Sequence, residues 1–138
     1  MSLEDDFPRL KDGHYKITSP QDINYNCMAW AMEDNSKWWE PSDAGYWPTG
    51  IEKDFSESCY TGAFNAMGFS ECNSDSLEQG MTKIAVYVQD GEVTHIARQL
   101  ESGKWTSKLG SDVDIEHDLQ CLEGEILGRV TLFYSRGN

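Results

Sequence analysis

The chain has no run of about 18 uncharged apolar residues, the length a hydrocarbon core demands, so no membrane-spanning helix is expected. Basic residues are scarce: eleven Lys and Arg stand against twenty-four Asp and Glu, giving a net charge of −13 and a pI near 4.4. A surface of that sign repels phosphate backbones and anionic lipid headgroups, which excludes nucleic acid and membranes as expected partners. The opening Met1-Ser2-Leu3-Glu4-Asp5-Asp6 is acidic and lacks an apolar stretch, so no secretory signal is expected. There is no internal repeat, low-complexity tract or Gly/Ser linker.

The four cysteines, Cys27, Cys59, Cys72 and Cys121, form no C-x-x-C pair, and the three histidines do not fall at zinc-finger spacing. Neither structural zinc nor a disulfide framework is expected. Ser107-Lys108-Leu109-Gly110 lacks the Gly-rich run of a phosphate loop. Asp112, Asp114, Glu116 and Asp118 miss the EF-hand pattern and read as a solvated acidic face. No cofactor and no metal follows from any motif.

What is present is enough for one core. At 138 residues and 15.6 kDa, with 38 % apolar and 12 % aromatic residues, the chain is one folded domain rather than a disordered segment. The acidic balance fits a soluble cytoplasmic protein, or one with a basic protein partner. The domain, residues 1–138, reads in three parts. Residues 1–24 are an irregular lead-in punctuated by Pro8, Gly13 and Pro20. Residues 25–67 are a helical part with a Trp-rich loop containing Trp38, Trp39 and Trp47. Residues 81–136 are an antiparallel sheet with a short helical insertion.

Within that frame, Cys27-Met28-Ala29-Trp30-Ala31 is rich in helix formers, and Asn26 or Asn24 can cap it, which puts Cys27 in the first turn. Phe55, Cys59, Phe64 and Met67 recur at helical spacing over 53–67, with Asp54 or Ser56 to start that helix and Gly68 to end it. Cys59 and Cys121 read as core thiols, and Cys72 lies in a polar loop. Ile84–Val88 and Val93–Leu100 are strands joined across Asp90-Gly91. Trp105–Leu109 is a third strand, Asp114–Leu122 a short helix closed by Gly124, and Ile126–Tyr134 the last strand. Helices first and a meander after them predict an α+β fold.

Cys27 is the residue from which chemistry is expected. A thiolate needs a helix N-terminus or a nearby imidazolium to lower its pKa. His14 lies in the irregular lead-in, and His117 reads as a solvated residue of the predicted helix. His95 opens a strand after a tight turn, where a sheet can aim it, so His95 is the candidate base. If the 93–100 and 105–109 strands pair through Gly103, a hydroxyl near 106–108 returns beside it. Ser107 is the candidate orienting group, with Thr106 as the reserve. The Cys27 N–H, and more loosely Tyr25, would donate to an oxyanion.

The order of Tyr25-Asn26-Cys27, then Gly80 running into Ile84–Val88, then Thr94-His95-Ile96-Ala97-Arg98-Gln99, then Trp105 resembles the NlpC/P60-type, papain-like cysteine peptidases. The resemblance implies a papain-like fold, with N-terminal helices packed on the antiparallel sheet. It departs from that family at Asn26, Met28-Ala29 and Ser107, where an acid, Ser-Gly and commonly His stand. Tyr25–Ala31, Trp38-Trp39, Tyr46-Trp47-Pro48, Trp105–Gly110, Ile115-Glu116-His117 and Leu122-Glu123-Gly124 resemble an uncharacterised family of small bacterial proteins, which brings no established substrate.

Two functions follow as expectations. In the first, Cys27 attacks an amide or ester carbonyl of a peptide-like or ester substrate, His95 handles the proton and Ser107 orients the imidazole. In the second, the protein is a catalytically inactive, acidic binding module of immunity or inhibitor type that covers a basic protein.

Overall fold

The computed structural model describes residues 7–11, 15–19, 25–33, 38–41, 45–48, 50–108, 114–124 and 126–137. Among these residues seven strands form one antiparallel sheet: β1 (Lys16–Ser19), β2 (Ser70–Cys72), β3 (Met81–Gln89), β4 (Glu92–Gln99), β5 (Trp105–Lys108), β6 (Asp114–His117) and β7 (Arg129–Gly137), in the order β1-β6-β5-β4-β3-β7-β2. Two α-helices accompany it, α1 (Cys27–Ala31) and α2 (Glu57–Ala66), together with 3-10 turns at Pro8–Lys11 and Leu119–Leu122.

The apolar residues of β3 and β4 form a run rather than a clean alternation because both faces of the sheet are covered. Ile84, Val86 and Ile96 join Met28, Ala29, Trp39, Trp47 and Phe64 in one core on the side of α1 and α2. Ala85, Tyr87 and Ala97 join Leu10, Trp105, Ile115 and Leu122 in a second core on the opposite side. The β3–β4 turn is tight, with Asp90 and Gly91 both at positive φ (54° and 82°), the conformation that an Asp-Gly pair favours.

The papain-like arrangement of helices packed on a sheet is overturned. The α-helices have only five and ten residues, and the seven-stranded sheet dominates the ordered structure. α1 stops at Met32, and Glu33 takes the left-handed φ of 60° that ends a helix. Among the described residues of the Trp-rich segment, a bridge joins Trp39 and Tyr46, and none is helical. Three segments read otherwise from sequence are strands. Lys16–Ser19 belongs to the expected lead-in and Ser70–Cys72 to the expected polar loop. Asp114–His117, the start of the expected helical insertion, pairs with both β1 and β5. Each is three or four residues long and exists through its long-range partners, which local periodicity does not report. Only the Leu119–Leu122 turn remains helical in that insertion.

Two irregularities flank Tyr87. Tyr87 pairs with His95 but Val88 pairs with Val93, leaving Thr94 as an extra residue in β4. On the other side Val86 pairs with Leu132 and Tyr87 with Val130, leaving Thr131 extra in β7. Gly128, at φ 77°, brings the backbone leading into β7 against the Val88 carbonyl, with no room for a side chain. Gly128→Ala is expected to lower unfolding stability by about 2–4 kcal/mol, from the left-handed backbone and the overlap with Val88, measured by urea unfolding. A change under about 0.5 kcal/mol would show that the close approach is not needed.

Candidate functional site

Asn26 takes an extended backbone (φ −122°) and its Oδ1 accepts the Ala29 N–H at 3.2 Å, so Asn26 is the cap and Cys27 the first residue of α1. The same Oδ1 accepts the Trp39 N–H at 3.2 Å, and Nδ2 donates to the Trp39 carbonyl at 2.6 Å. The buried amide thus ties the helix start to the Trp-rich segment, whose Trp39 and Trp47 are core residues and whose Trp38 is half-buried. Cys27 itself is half-buried against that core. Burial pushes its thiol pKa up, opposed by the backbone N–H groups of Ile96, Met28 and Cys27. A five-residue helix has little dipole to set against that, and burial wins.

His95 is 2 % exposed and belongs to the other layer. Its ring packs edge-on to Tyr87, 5.3 Å between centroids, and the Tyr87 hydroxyl donates to the Leu119 carbonyl at 2.8 Å. Ile96, the next residue, is the one that shares the core with α1 and Cys27. Cys27 and His95 therefore lie on opposite faces of β4, and the expected thiol–imidazole pair is not assembled. Among the described residues His95 Nε2 has no hydrogen-bond partner.

Ser107 does find an imidazole, but a different one. Its Oγ lies 2.6 Å from His117 Nε2, and His117 Nδ1 lies 2.9 Å from the Asp118 carbonyl. With Nδ1–H donating to that carbonyl, Nε2 accepts the serine proton. Both side chains are fully buried, so His117 is not the solvated residue expected from a helix. Alternation along β6 puts His117 on the face of Ile115, a period-two signal hidden in a segment that reads as helical. Thr106 points the other way and accepts from Trp30 Nε1 at 3.0 Å. Tyr25 is engaged by Asp114, its hydroxyl 2.8 Å from Oδ2, and so is not an oxyanion donor. Asp114, expected on a solvated face, is fully buried opposite Lys108, whose Nζ sits 5.1 Å over the Tyr25 ring. His14, Asn24, Leu109, Gly110 and Asp112 lie outside the described residues.

Two other features bear on ligands. A cavity of about 1140 Å3 opens where α1 ends, β3 begins and β4 turns into β5. Glu33, Glu78, Glu101, Glu116, Arg98 and Leu77 are among its lining residues, and Cys27, His95 and Ser107 are not. Separately, the ligating atoms of Glu52, Asp54 and Cys59 lie within 4.8 Å of one another. Both carboxylates are exposed, and Asp54 Oδ1 accepts the Ser56 N–H at 2.7 Å, so the group also forms the entry to α2, which Ser56 caps.

Residues 16–135 match the family described as Domain of unknown function (DUF7689). The chain belongs to that family. No curated protein and no solved structure matches it. Among the described residues no helix of this family member is long and apolar enough to cross a membrane.

The burial of the two described histidines leads us to expect acid sensitivity. Burial lowers the His95 pKa to about 3, helped by the charge of His117, and burial lowers that of His117 to about 4 against the opposing Asp118 carbonyl. Both native values are depressed from 6.5, so the unfolded chain takes up these protons first as pH falls. Their contribution is intact above pH 6.5 and is lost progressively down to about pH 3–4. At pH 5 the loss should reach about 2 kcal/mol per imidazole, read from urea unfolding across pH. His117→Asn is expected to flatten this part of the profile. An unchanged slope would show that His117 is not held neutral.

Proposed function

We propose that this protein is an acidic binding module for a basic protein partner and does not run thiol chemistry. The observation that carries the reading is the separation of Cys27 and His95 by the sheet: His95, the candidate base, packs on Tyr87 in the opposite core. A thiol raised by burial, with no imidazolium beside it among the described residues, is a poor nucleophile at neutral pH. Ser107, intended to orient His95, is bonded to His117 and sealed from solvent. A net charge of −13 suits association with a cationic surface, speeding encounter and rejecting anionic competitors.

The discriminating measurement is alkylation by iodoacetamide at pH 6, mapped by peptide mass spectrometry. Cys27 is expected to react no faster than Cys72, and His95→Ala is expected to leave the Cys27 rate within about twofold. Fast Cys27 labelling that His95→Ala abolishes would overturn the reading and restore a cysteine hydrolase.

A further inference from the structure

We infer that, whatever the module binds, its sheet carries a seam that acid opens. When the imidazoles of His95 and His117 become charged, β5, β6 and β1 part as one wing from β4, while β4, β3, β7 and β2 stay joined. The strand pairing sets where the sheet gives way. Among the described residues β4 and β5 pair only at Arg98–Thr106 and Gln99–Trp105. By contrast β3 and β4 pair from Ile84–Arg98 to Gln89–Glu92, and β5 pairs with β6 along its whole length, from Trp105–His117 to Lys108–Asp114. Beyond Arg98 the sheet is split: the Ile96 N–H lies against the Cys27 thiol, and α1 packs on both β4 and β5. Trp30 spans the gap, its carbonyl accepting from Arg98 Nε at 3.4 Å and its Nε1 donating to Thr106 Oγ1 at 3.0 Å.

The two imidazoles stand on opposite sides of this seam, His95 on β4 and His117 on β6, in the layer away from α1, where the charge of one acts on the other. An imidazolium donates from both ring nitrogens. His95 Nε2 has no acceptor among the described residues, so a proton there is buried unpaired. His117 Nε2 accepts from Ser107, 2.6 Å away; once protonated it donates instead, and the buried serine must turn its own proton elsewhere. The other titratable or charged groups facing this layer are Tyr15 before β1, Tyr87 on β3, and Asp118, Cys121 and Glu123 around the turn after β6. Lys104 pairs with Asp118 at 2.8 Å and Arg9 with Glu123 at 3.4 Å. Burial pushes Tyr87 and Cys121 up, so both stay neutral on the acid side. Opening the seam returns the imidazoles to water, where they hold protons more readily, so falling pH favours the open form.

The test labels the full chain with 4,4′-dithiodipyridine between about pH 6.5 and about pH 4.5, with the thiols resolved by peptide mass spectrometry. Cys121, in the turn that follows β6, and Cys59, on α2, are equally buried at 4 % exposure, so each reports the opening of its own region. The Cys121 rate relative to that of Cys59 is expected to rise at least about tenfold as pH falls. Over the same range hydrogen exchange, corrected for intrinsic rate, should lose protection in β5 and β6 and keep it in β3 and β7. His95→Phe combined with His117→Asn should hold the thiol ratio within about twofold, and Asp118→Asn should leave the acid response in place. A constant ratio in the wild type would overturn the seam, as would protection lost from all strands together. A response that Asp118→Asn abolishes would assign the trigger to the Lys104–Asp118 pair and overturn the role of the imidazoles. Should the double variant fail to fold, the two wild-type measurements and Asp118→Asn still decide.

Discussion

A strand offers its side chains alternately to two faces of a sheet, and one extra residue reverses the assignment of everything beyond it. In β4 that residue is Thr94. Val93 belongs to the core beneath α1, and a strict period of two would put His95 on that same side, with Cys27. The bulge sends His95 to the opposite layer and gives Ile96 the place nearest the helix. It is held by more than pairing: Thr94 Oγ1 lies 2.5 Å from the Leu127 carbonyl and 3.2 Å from that of Tyr87. The matching irregularity in β7 and the close approach of Gly128 to Val88 grip the same stretch of β3 from its other side. Because the central strand is fixed from both neighbours, the imidazole cannot reach the thiol by a side-chain rotation. The separation belongs to the backbone.

The consequence reaches the buried polar residues. Each face of the sheet has its own polar set, and the two do not mix. Beneath α1 lie Asn26, Thr106, Lys108 and Asp114, bonded to Trp39, Trp30 and Tyr25 or stacked on them. On the far side lie His95, Ser107 and His117 with Tyr87. Buried polar groups of this kind specify which strand sits beside which, since a slipped register leaves them unpaired in a medium where that is costly. Ser107 illustrates this. Its partner is His117 on β6, through the register that sets Ser107 opposite Ile115, so the hydroxyl fixes a strand pair instead of orienting a base.

How much of this could be read beforehand depends on whether the signal was local. The helix caps at Asn26 and Ser56, the Asp90-Gly91 turn, the Gly68 stop and the strand from 84 to 88 all rest on neighbours within a few residues, and each was legible. The strands at 16–19, 70–72 and 114–117 were not, because three or four residues with one or two apolar side chains have no period to detect. Asp114-Ile115-Glu116-His117 lies on a strand between two others, and without those partners it has as much helical character as any acidic tetrapeptide. The bulge at Thr94 left no mark either: Thr and His both fit a pleated strand, and no glycine flags the extra residue. One extra residue in one strand is therefore what sets Cys27 and His95 on opposite faces.

The charge pattern needed no register to be read. Its placement follows from how the few cations are spent. Lys83 and Lys108 are essentially buried, and Arg98 lies mostly beneath the surface against Trp30. The carboxylate that pairs with Lys83, on Glu78, stays half exposed, as does that of Glu33 above Arg98. In these pairs the positive member lies inward and the negative member outward, so water and any partner meet carboxylates first. Charges behind low-dielectric atoms are screened less than exposed ones, so Lys83 and Arg98 still offset much of the field of the carboxylates they pair with, and what distinguishes the surface is the outward placement of the negative member of each pair.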